Sequence, residues 1–396
     1  MFCVNEHANI EFFKNNQKFF LYLHRIRFFI IRQIAFAITQ KIMKENTQAI
    51  TIRQVAQKAN VSIGTVDRIL HNRGRVSEIT KERVLSIVKE LGYKPNIHAS
   101  LLSARKNISI IVIIPYFQSE EFWSLVYDGI KKAEREHSTY KLSIDTLYYN
   151  QFDSESFNDA CRQCISLKPD GVILSPIHKE ASATFVQEIG KQGTPVVFVD
   201  TCVENCDYFA YFGIDLFASA YLAADLMFSK NTRINKIANF NIKTANNFYS
   251  EAFHKREQGL IQYMKDHKIN CEIINCMISP TDFLKNVNIF DEFFSQNPDI
   301  HHAITMTSRA HILTDWMDIR EKKDLYIIGY DMTQANIRAL QRGAIDFLIA
   351  QRTDIEAYSA AKALIDYLTL GLKPAKRDNL FPIDILTKYN VNYYIR

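Results

Sequence analysis

The chain has 396 residues, a net charge of +5, 47% hydrophobic residues and 23% charged residues. This length is enough for two or three domains, and the composition is that of folded globular protein, which excludes a wholly disordered chain. The charge is uneven, because residues 47–106 carry eleven Lys and Arg against four acidic residues and residues 107–396 are acidic overall. This distribution predicts a polyanion-binding head on a body with a different task.

Residues 1–46 form an atypical N-terminal extension that is rich in phenylalanine and basic residues. A membrane span is disfavoured here, because Arg25, Arg27 and Arg32 interrupt the apolar run and each central arginine costs about 2.5–3.5 kcal/mol. No small-residue cleavage site follows, while a basic helix lying on a membrane surface stays open. We expect instead that Met43 is the true start and that residues 1–42 are not translated.

The seven cysteines are scattered and odd in number, which favours a reducing cytoplasm over a disulfide framework. Cys161-x-x-Cys164, together with Cys202 and Cys206, could form a redox or metal site. However, Cys161 and Cys164 fall on the apolar positions of a helical pattern, where cysteine behaves as a small buried residue. We therefore expect no metal and no cofactor.

Residues 47–95 show the pattern of three short helices. Thr51 can cap the first helix, Ser62 can cap a second that begins at Ile63, and Ser77 can cap a third. Two short helices joined by a tight turn, with a third in support, form the arrangement that places the second helix in the major groove of DNA. A plain three-helix bundle has the same periodicity, so the pattern alone predicts the shape and not the function.

The residues themselves are more specific. The segment TIRQVAQKANVSIGTVDRIL at residues 51–70 closely resembles the DNA-binding segment of the lactose/galactose repressor (LacI/GalR) family, and VSEITKERVL (76–85) and LGYKPN (91–96) match its third helix and exit. The resemblance covers about 55 residues without a gap. It implies a helix-turn-helix domain that binds a double-stranded DNA operator.

The resemblance also implies which residues contact DNA. Ile63, Gly64 and Arg68 take the base-reading positions, and the Arg68 guanidinium can donate to O6 and N7 of guanine, worth about 1–3 kcal/mol. Ser62, Thr65 and the helix N-terminus would hold phosphates. The remaining members of the DNA-binding set are Thr51, Arg73, Arg75 and Leu102.

Two departures from the family pattern concern phosphate contacts. Asp67 stands where the family usually has serine, and an acid near phosphate is unfavourable unless Arg68 or Arg73 pairs with it. The loop around Arg73 and Arg75 is more basic than usual. We favour phosphate contacts for these two arginines over a solvated turn.

Residues 96–106, NIHASLLSARK, match the family hinge. The resemblance implies a short helix that forms only on the operator and inserts a leucine into the minor groove, kinking the duplex. Leu102 falls on that position. Without the resemblance, this leucine would be interpreted as part of a linker that packs on its own domain.

Residues 107–396 alternate apolar runs with amphipathic helices. Unbroken β-branched runs separated by helices indicate parallel sheets covered on both faces, and nine such units fit two doubly wound lobes. The runs are residues 110–114, 142–147, 171–175, 196–199, 236–240, 269–274, 303–306, 325–329 and 347–350. No nucleotide-binding glycine motif or hydrolase nucleophile motif follows them, so the sequence does not indicate an enzyme.

This region resembles the type I periplasmic sugar-binding proteins, whose fold is also the effector domain of the repressor family. The resemblance rests on Pro115, Phe122 and Trp123, and on FVD (198–200), FGID (212–215), REQG (256–259), IGYD (328–331) and IAQ (349–351). Ligands bind at the carboxyl ends of such strands, between the lobes. The implied effector-binding residues are Phe122, Trp123, Asp200, Arg256, Ser308, Asp331 and Gln351.

Two of these assignments have alternatives. Phe122 and Trp123 can stack on a sugar face, which we favour, or can pack in the core at a helix start. Thr307-Ser308-Arg309 stands where the sugar-binding relatives carry Asn-Asp, so the class of ligand stays open. Asp215 lies near a lobe crossing, which suggests a structural role or a place at a dimer face.

The sequence therefore predicts a cytoplasmic homodimeric regulator that acts as a repressor. It has an all-α helix-turn-helix domain and an α/β two-lobed sensor domain (107–396), which is built from two doubly wound parallel sheets. Its partners would be a pseudo-palindromic operator and a carbohydrate effector, with no membrane. The alternative is a solute-binding receptor whose N-terminus is a signal or anchor. The basic helix-turn-helix favours the regulator.

Overall fold

The computed structural model describes residues 52–70, 76–91, 107–229, 233–242, 250–322 and 324–395. The chain divides into two compact units, Met1–Ala104 and Arg105–Arg396. The expectations for residues 1–46, including Met43, and for the hinge at 96–106 fall outside the described residues.

The described part of the first unit contains the three helices predicted from the sequence: α1 (Ile52–Lys58), α2 (Ile63–Leu70) and α3 (Glu78–Glu90). Their apolar faces meet in one small core, which includes Val55, Val66 and Val84. The turn between α1 and α2 is tight because Asn60 takes a left-handed conformation with φ of 53°.

The second unit is built from two lobes, and each has a six-stranded sheet. The sheet of lobe 1 has the order β11-β5-β4-β3-β1-β2. Its strands are β1 (Ile108–Pro115), β2 (Leu142–Tyr149), β3 (Gly171–Leu174), β4 (Val196–Asp200), β5 (Ala210–Gly213) and β11 (Asp378–Leu380). Its core also contains residues from helices α4 (Phe122–Glu136), α5 (Ser154–Leu167), α6 (Lys179–Gly190) and α12 (Thr353–Leu370).

The sheet of lobe 2 has the order β12-β10-β9-β8-β6-β7. Its strands are β6 (Lys236–Ile242), β7 (Glu272–Ile278), β8 (His302–Thr305), β9 (Tyr326–Tyr330), β10 (Phe347–Ala350) and β12 (Asp384–Leu386). Its two cores contain residues from α7 (Leu216–Phe228) and α8 (Glu251–Asp266), and from α9 (Phe283–Gln296), α10 (His311–Ile319) and α11 (Gln334–Gln341).

Within the described residues, the chain crosses between the lobes three times: between β5 and α7, between β10 and α12, and between β11 and β12. Asp215 lies in the first crossing, as the sequence predicts, and its Oδ1 accepts a hydrogen bond from the Ala218 backbone N–H at 2.9 Å. Asp215 therefore acts as the N-cap of α7. Gln351 lies in the second crossing, immediately after β10.

The structure corrects three details of the predicted sheets. The run at 269–274 is placed too early, because Lys268 makes a left-handed turn and β7 begins at Glu272, which pairs with Lys236. The short strands β5, β11 and β12 were not among the predicted runs. In addition, β12 pairs antiparallel with β10, so the sheet of lobe 2 is not wholly parallel.

Gly129 permits the close crossing of α4 and α12. A Cβ atom at this position would lie 2.2 Å from the backbone oxygen of Asp354. We predict that Gly129→Ala lowers the free energy of unfolding by about 1–3 kcal/mol, because two helix backbones must move apart. Gly190→Ala is the matched control, because no atom lies within 4 Å of its added Cβ. Urea unfolding of both variants measures the difference, and equal stabilities would contradict this packing.

Candidate functional site

The N-terminal end of α2 is the candidate DNA interface. The backbone N–H of Thr65 donates to the Ser62 Oγ at 3.1 Å, so Ser62 caps the helix. Ile63 is 43% exposed although it is apolar, and Gly64 is open to solvent. Val66, one turn on, is fully buried. The helix therefore has an exposed face at the positions expected to read bases.

Arg68 lies on the same exposed face, one turn along α2. Its Nε donates to the backbone oxygen of Gly64 at 3.1 Å, and an Nη donates to the Thr65 Oγ1 at 3.4 Å. Both contacts are solvent-exposed and local, so the guanidinium can exchange them for contacts to a base. The other members of the predicted DNA-binding set, Thr51, Arg73, Arg75 and Leu102, lie outside the described residues.

The candidate effector site lies at the carboxyl ends of the strands, where the two lobes meet. Asp200 ends β4 in lobe 1 and Asp331 follows β9 in lobe 2, and both are buried. Each has a left-handed backbone, with φ of 70° and 69° respectively. Such conformations are uncommon outside glycine and concentrate at functional sites, where the surrounding structure holds them.

Gln351 joins these two carboxylates. Its Nε2 donates to the Oδ1 of Asp200 and to the Oδ1 of Asp331, at 3.2 Å in each case. The Thr201 Oγ1 donates to the other oxygen of Asp200 at 3.0 Å. One amide on a crossing segment thus holds one acid from each lobe. We call Asp200, Arg256, Asp331, Gln351 and Glu356 the polar junction.

Arg256 reaches the junction from α8 in lobe 2. It is buried, its Nη1 donates to the backbone oxygen of Met306 at 2.8 Å, and its guanidinium carbon lies 4.2 Å from the centre of the Tyr330 ring. At this distance the guanidinium and the face of the Tyr330 ring attract each other. Its positive charge opposes the burial-driven rise in the pKa of both Asp200 and Asp331.

The junction carries more acid than base. Burial raises the pKa of Asp331 to about 6, and the nearby Asp200 carboxylate raises it further while Arg256 lowers it. Burial, with Asp200 and Asp331 adding to it, raises the pKa of Glu356 to about 8. Glu356 is fully buried in the first turns of α12. Burial and the two neighbouring acids therefore favour the protonated form of Glu356.

The structure places the other predicted effector residues differently. Ser308 follows β8, and its backbone oxygen accepts a hydrogen bond from the Nδ2 of Asn336 at 2.9 Å. The same Nδ2 lies within 3.2 Å of the Asp331 backbone oxygen, so Asn336 holds the two loops together. Phe122 and Trp123 are each 7% exposed and belong to the core of lobe 1. Their stacking on a sugar stays a prediction.

Sequence reasoning missed Glu356, although a signal for it was present. Ala357, Ala360, Ala361 and Leu364 are among the buried residues of α12. Glu356 precedes Ala357 and lies four residues before Ala360, which places it on the same buried helix face. An acid on such a face indicates either a partner or a raised pKa. Asn336 gave no comparable signal, because its role depends on loops that are distant in sequence.

Residues 110–373 match the periplasmic binding protein domain family, and residues 51–96 match the bacterial regulatory proteins of the lacI family. The chain belongs to the LacI family of DNA-binding transcriptional regulators. Its sensor is a periplasmic-binding-protein domain. Members of this family regulate transcription and are not enzymes, and the match at 51–96 favours the regulator over the solute-binding receptor.

Individual relatives agree with this assignment. The HTH-type transcriptional regulator DegA of Bacillus subtilis is 29% identical over 150 residues, which are 38% of this chain and 43% of that protein. The ribose operon repressor of Lactococcus lactis is 22% identical over 286 residues, 72% of this chain and 81% of that one. A solved Bacteroides fragilis structure, assigned as a LacI transcriptional regulator, has a TM-score of 0.70 at 29% identity and covers 73% of this chain and all of that one. This chain therefore spans less than half of DegA but most of the other two.

The described parts of the chain contain neither a candidate membrane span nor a candidate metal cluster. No helix there is long and apolar enough to cross a membrane. No group of three or more His, Cys, Asp or Glu side chains there could hold a metal ion. Cys161 and Cys164 are buried in lobe 1, and burial raises the pKa of Cys164 to about 12.

The raised pKa of Glu356 gives a testable pH dependence. The pKa of Glu356 is ordinarily 4.5 and is about 8 in the folded protein. The contribution of Glu356 to the free energy of unfolding therefore becomes progressively more unfavourable as pH rises from about 4.5 through 8. Glu356→Gln keeps the size of the side chain and cannot ionise. We predict that, between pH 5 and pH 8.5, the free energy of unfolding of the variant rises by a few kcal/mol relative to that of the wild type. Urea unfolding at both pH values measures this, with the exposed Glu188→Gln as control, and parallel pH profiles would contradict it.

Proposed function

We propose that this chain is a cytoplasmic repressor of carbohydrate genes, which binds a pseudo-palindromic operator as a homodimer and responds to a sugar bound between its lobes. The observation that carries this proposal is the pairing of an exposed, capped α2 with a buried polar junction between two lobes. The ribose operon repressor, similar over most of both chains, supports carbohydrate as the class of effector.

The DNA contacts proposed for α2 follow from what its exposed face can donate. Arg68 offers a planar, doubly donating group suited to guanine, and Ile63 offers an apolar surface suited to a thymine methyl. Ser62 and Thr65 lie at the helix N-terminus, where backbone N–H groups and hydroxyls can hold a phosphate. Arg73 and Arg75 would add phosphate contacts, and Thr51 would lie at the start of α1.

A dimer is proposed because of the number of DNA contacts that specific binding requires. One small helix-turn-helix makes too few contacts for specific affinity, and two copies related by a twofold axis read two half-sites about one or more helical turns apart. The operator would then mirror the symmetry of the protein, which makes it pseudo-palindromic.

Effector binding is proposed at the polar junction. Asp200, Asp331 and Gln351 offer acceptors for sugar hydroxyls, Arg256 offers donors, and Ser308 lies on the loop beside Asp331. Phe122 and Trp123 would supply the apolar face that a pyranose ring requires. Because the junction joins both lobes, a ligand there would change the relative energy of open and closed arrangements.

The hinge is proposed to carry that change to DNA. A helix over residues 97–104 is too short to be stable alone in water, so it would form only when two copies lie together over the minor groove. Leu102 would then insert between base steps, at a cost of a few kcal/mol in unstacking that the new contacts offset. Lobe closure would change the distance between the two hinges of the dimer and thereby change the affinity for the operator.

Arg68→Ala tests the DNA-reading part of the proposal. We predict that it weakens binding to the operator enriched from a random DNA pool by about 10- to 100-fold, corresponding to about 1–3 kcal/mol, and relaxes the preference at one base pair per half-site. Fluorescence anisotropy on the full operator and on single-base variants measures both effects.

Arg83→Ala is the matched control, since Arg83 is exposed on α3 and carries the same charge. It should change affinity for all sequences alike and leave the base preference intact. An Arg68→Ala protein with the base preference of the wild type would contradict the register assigned to α2.

A further inference from the structure

The main chain at Asp200 and at Asp331 has the same uncommon conformation. Both residues are left-handed, with φ of 70° and 69°, a region that residues other than glycine adopt only when the surrounding structure holds them there. The backbone angles of a residue are set by the two peptide planes on either side of it. The groups that hold those planes therefore also fix the direction in which the Cα–Cβ bond leaves the main chain.

Hydrogen bonds hold both peptide planes at Asp331. In the plane before it, the Asp331 N–H donates to the Ile349 backbone oxygen at 2.9 Å. In the same plane, the Tyr330 backbone oxygen accepts from the Nδ2 of Asn336 at 2.8 Å. In the plane after it, the Asp331 backbone oxygen accepts from the same Nδ2 at 3.2 Å. Asn336 therefore contacts both of the planes that define the Asp331 backbone.

Asn336 joins three segments of lobe 2 through one fully buried amide. Its Nδ2 also donates to the Ser308 backbone oxygen at 2.9 Å, so its two hydrogens serve three carbonyl groups. Its Oδ1 accepts from the backbone N–H of His311, the first residue of α10, at 2.9 Å. The N-cap residue of α10 is Ala310, which makes no side-chain capping hydrogen bond, so Asn336 supplies an acceptor at this helix end.

Tyr211 has the corresponding place in lobe 1. Its buried hydroxyl lies 3.0 Å from the backbone oxygens of both Asp200 and Ile214, and it shares its one hydrogen between them. Gly213 leaves room for this hydroxyl, because a Cβ atom at Gly213 would lie 2.3 Å from the Tyr211 Oη. Each left-handed acid thus has a backbone oxygen held by a buried, neutral side chain of its own lobe.

We propose that Asn336 and Tyr211 are the positioning residues of the sensor, and that each holds the backbone of one acid in the orientation that a bound carbohydrate requires. This inference rests on the proposed function, in which a carbohydrate binds between the lobes, and it adds residues that act through Asp331 and Asp200. Each lobe then presents its acid already oriented, so less freedom is lost when the ligand binds.

Asn336→Leu removes the donor of lobe 2 at nearly constant size. Asn390→Leu is its matched control, because the Asn390 amide also holds a turn of lobe 2: it donates to the Ile385 backbone oxygen at 3.0 Å and accepts from the Thr387 N–H at 2.7 Å. Asn390 follows β12, which runs antiparallel to β10, so it lies towards the opposite edge of the sheet.

Tyr211→Phe removes a single hydroxyl from lobe 1. Tyr326→Phe is its matched control, because the Tyr326 hydroxyl also donates to a backbone oxygen, that of Leu226, at 3.2 Å. Tyr326 begins β9 and therefore lies at the edge of its sheet away from Asp331.

The first measurement uses the full chain without a ligand. Asp200→Asn, Asp331→Asn and their combination are made in the wild type and in each of the four variants, and the Tm of every protein is measured. We expect the two changes in Tm to be non-additive in the wild type and in both controls. In Asn336→Leu and Tyr211→Phe we expect them to be additive, because a displaced carboxylate no longer shares the Gln351 amide.

The second measurement is sugar binding to the same full-length proteins. A thermal-shift panel of glucose, galactose, mannose, ribose, arabinose and xylose selects the sugars that bind the wild type, and isothermal titration calorimetry gives their affinities. We expect Asn336→Leu and Tyr211→Phe each to weaken binding by about tenfold or more, and the two controls to change it by less than about twofold.

The inference is overturned if both test variants keep the coupling between the two acids, or if the wild type shows none. It is also overturned if the controls lose coupling as the test variants do, because the effect is then a general loss of stability. If Asn336→Leu does not fold, Tyr211→Phe decides the outcome. A panel in which no sugar binds the wild type counts against the carbohydrate effector, whereas the Tm measurements still decide whether Asn336 and Tyr211 position the acids.

Discussion

The two hydrogen bonds from the Gln351 amide are the constraint on which the sensor depends. They join a carboxylate of lobe 1 to a carboxylate of lobe 2 through a residue that lies in neither lobe but in a crossing segment. In a buried setting such bonds are stronger than in water, and an unpartnered acid there is costly. Asp200 and Asp331 both have left-handed backbones, and both carboxylates accept from this amide. The position of one lobe relative to the other is therefore tied to the state of three side chains.

Other contacts between the lobes are of a different kind. Ion pairs join Glu121 to Arg309, Glu120 to Arg338 and Lys179 to Glu251, at 3.6, 3.4 and 3.2 Å, and a further pair joins Glu204 to Lys255. Most of these side chains are exposed, and exposed pairs contribute about 0–1 kcal/mol each and are screened by salt. The Gln351 hydrogen bonds, by contrast, are buried and are screened much less.

Much of this architecture can be predicted from the sequence, for physical reasons that particular residues make clear. Buried parallel strands are continuous β-branched runs, so β1, β4 and β10 are visible without a structure. Asp200 and Gln351 come at the ends of β4 and β10, and Asp331 follows β9. The carboxyl ends of parallel strands face one cleft. The helix caps at Ser62 and Ser77 are equally local signals, and both side chains accept the expected backbone hydrogen bonds.

What escapes prediction depends on contacts between segments distant in the chain. The antiparallel pairing of β12 and the late start of β7 follow from sheet register, which local periodicity does not contain. Asn336 binds two loops that only the fold brings together. Phe122 and Trp123 show the opposite case, since a paired aromatic near a strand end fits both a ligand face and a core, and the structure places both in the core of lobe 1. Charge balance at the junction becomes visible only when Glu356 is placed beside Asp200 and Asp331.

The most direct test of this account is a double-mutant cycle on Asp200→Asn and Asp331→Asn, read as the free energy of unfolding in urea at pH 7. Both carboxylates accept from the Gln351 amide, and the Asp200 carboxylate raises the pKa of Asp331, so removal of one changes the cost of removing the other. The account predicts a coupling energy of about 1 kcal/mol or more. If the two substitutions are additive to within about 0.3 kcal/mol, the carboxylates do not interact and the polar junction does not join the lobes.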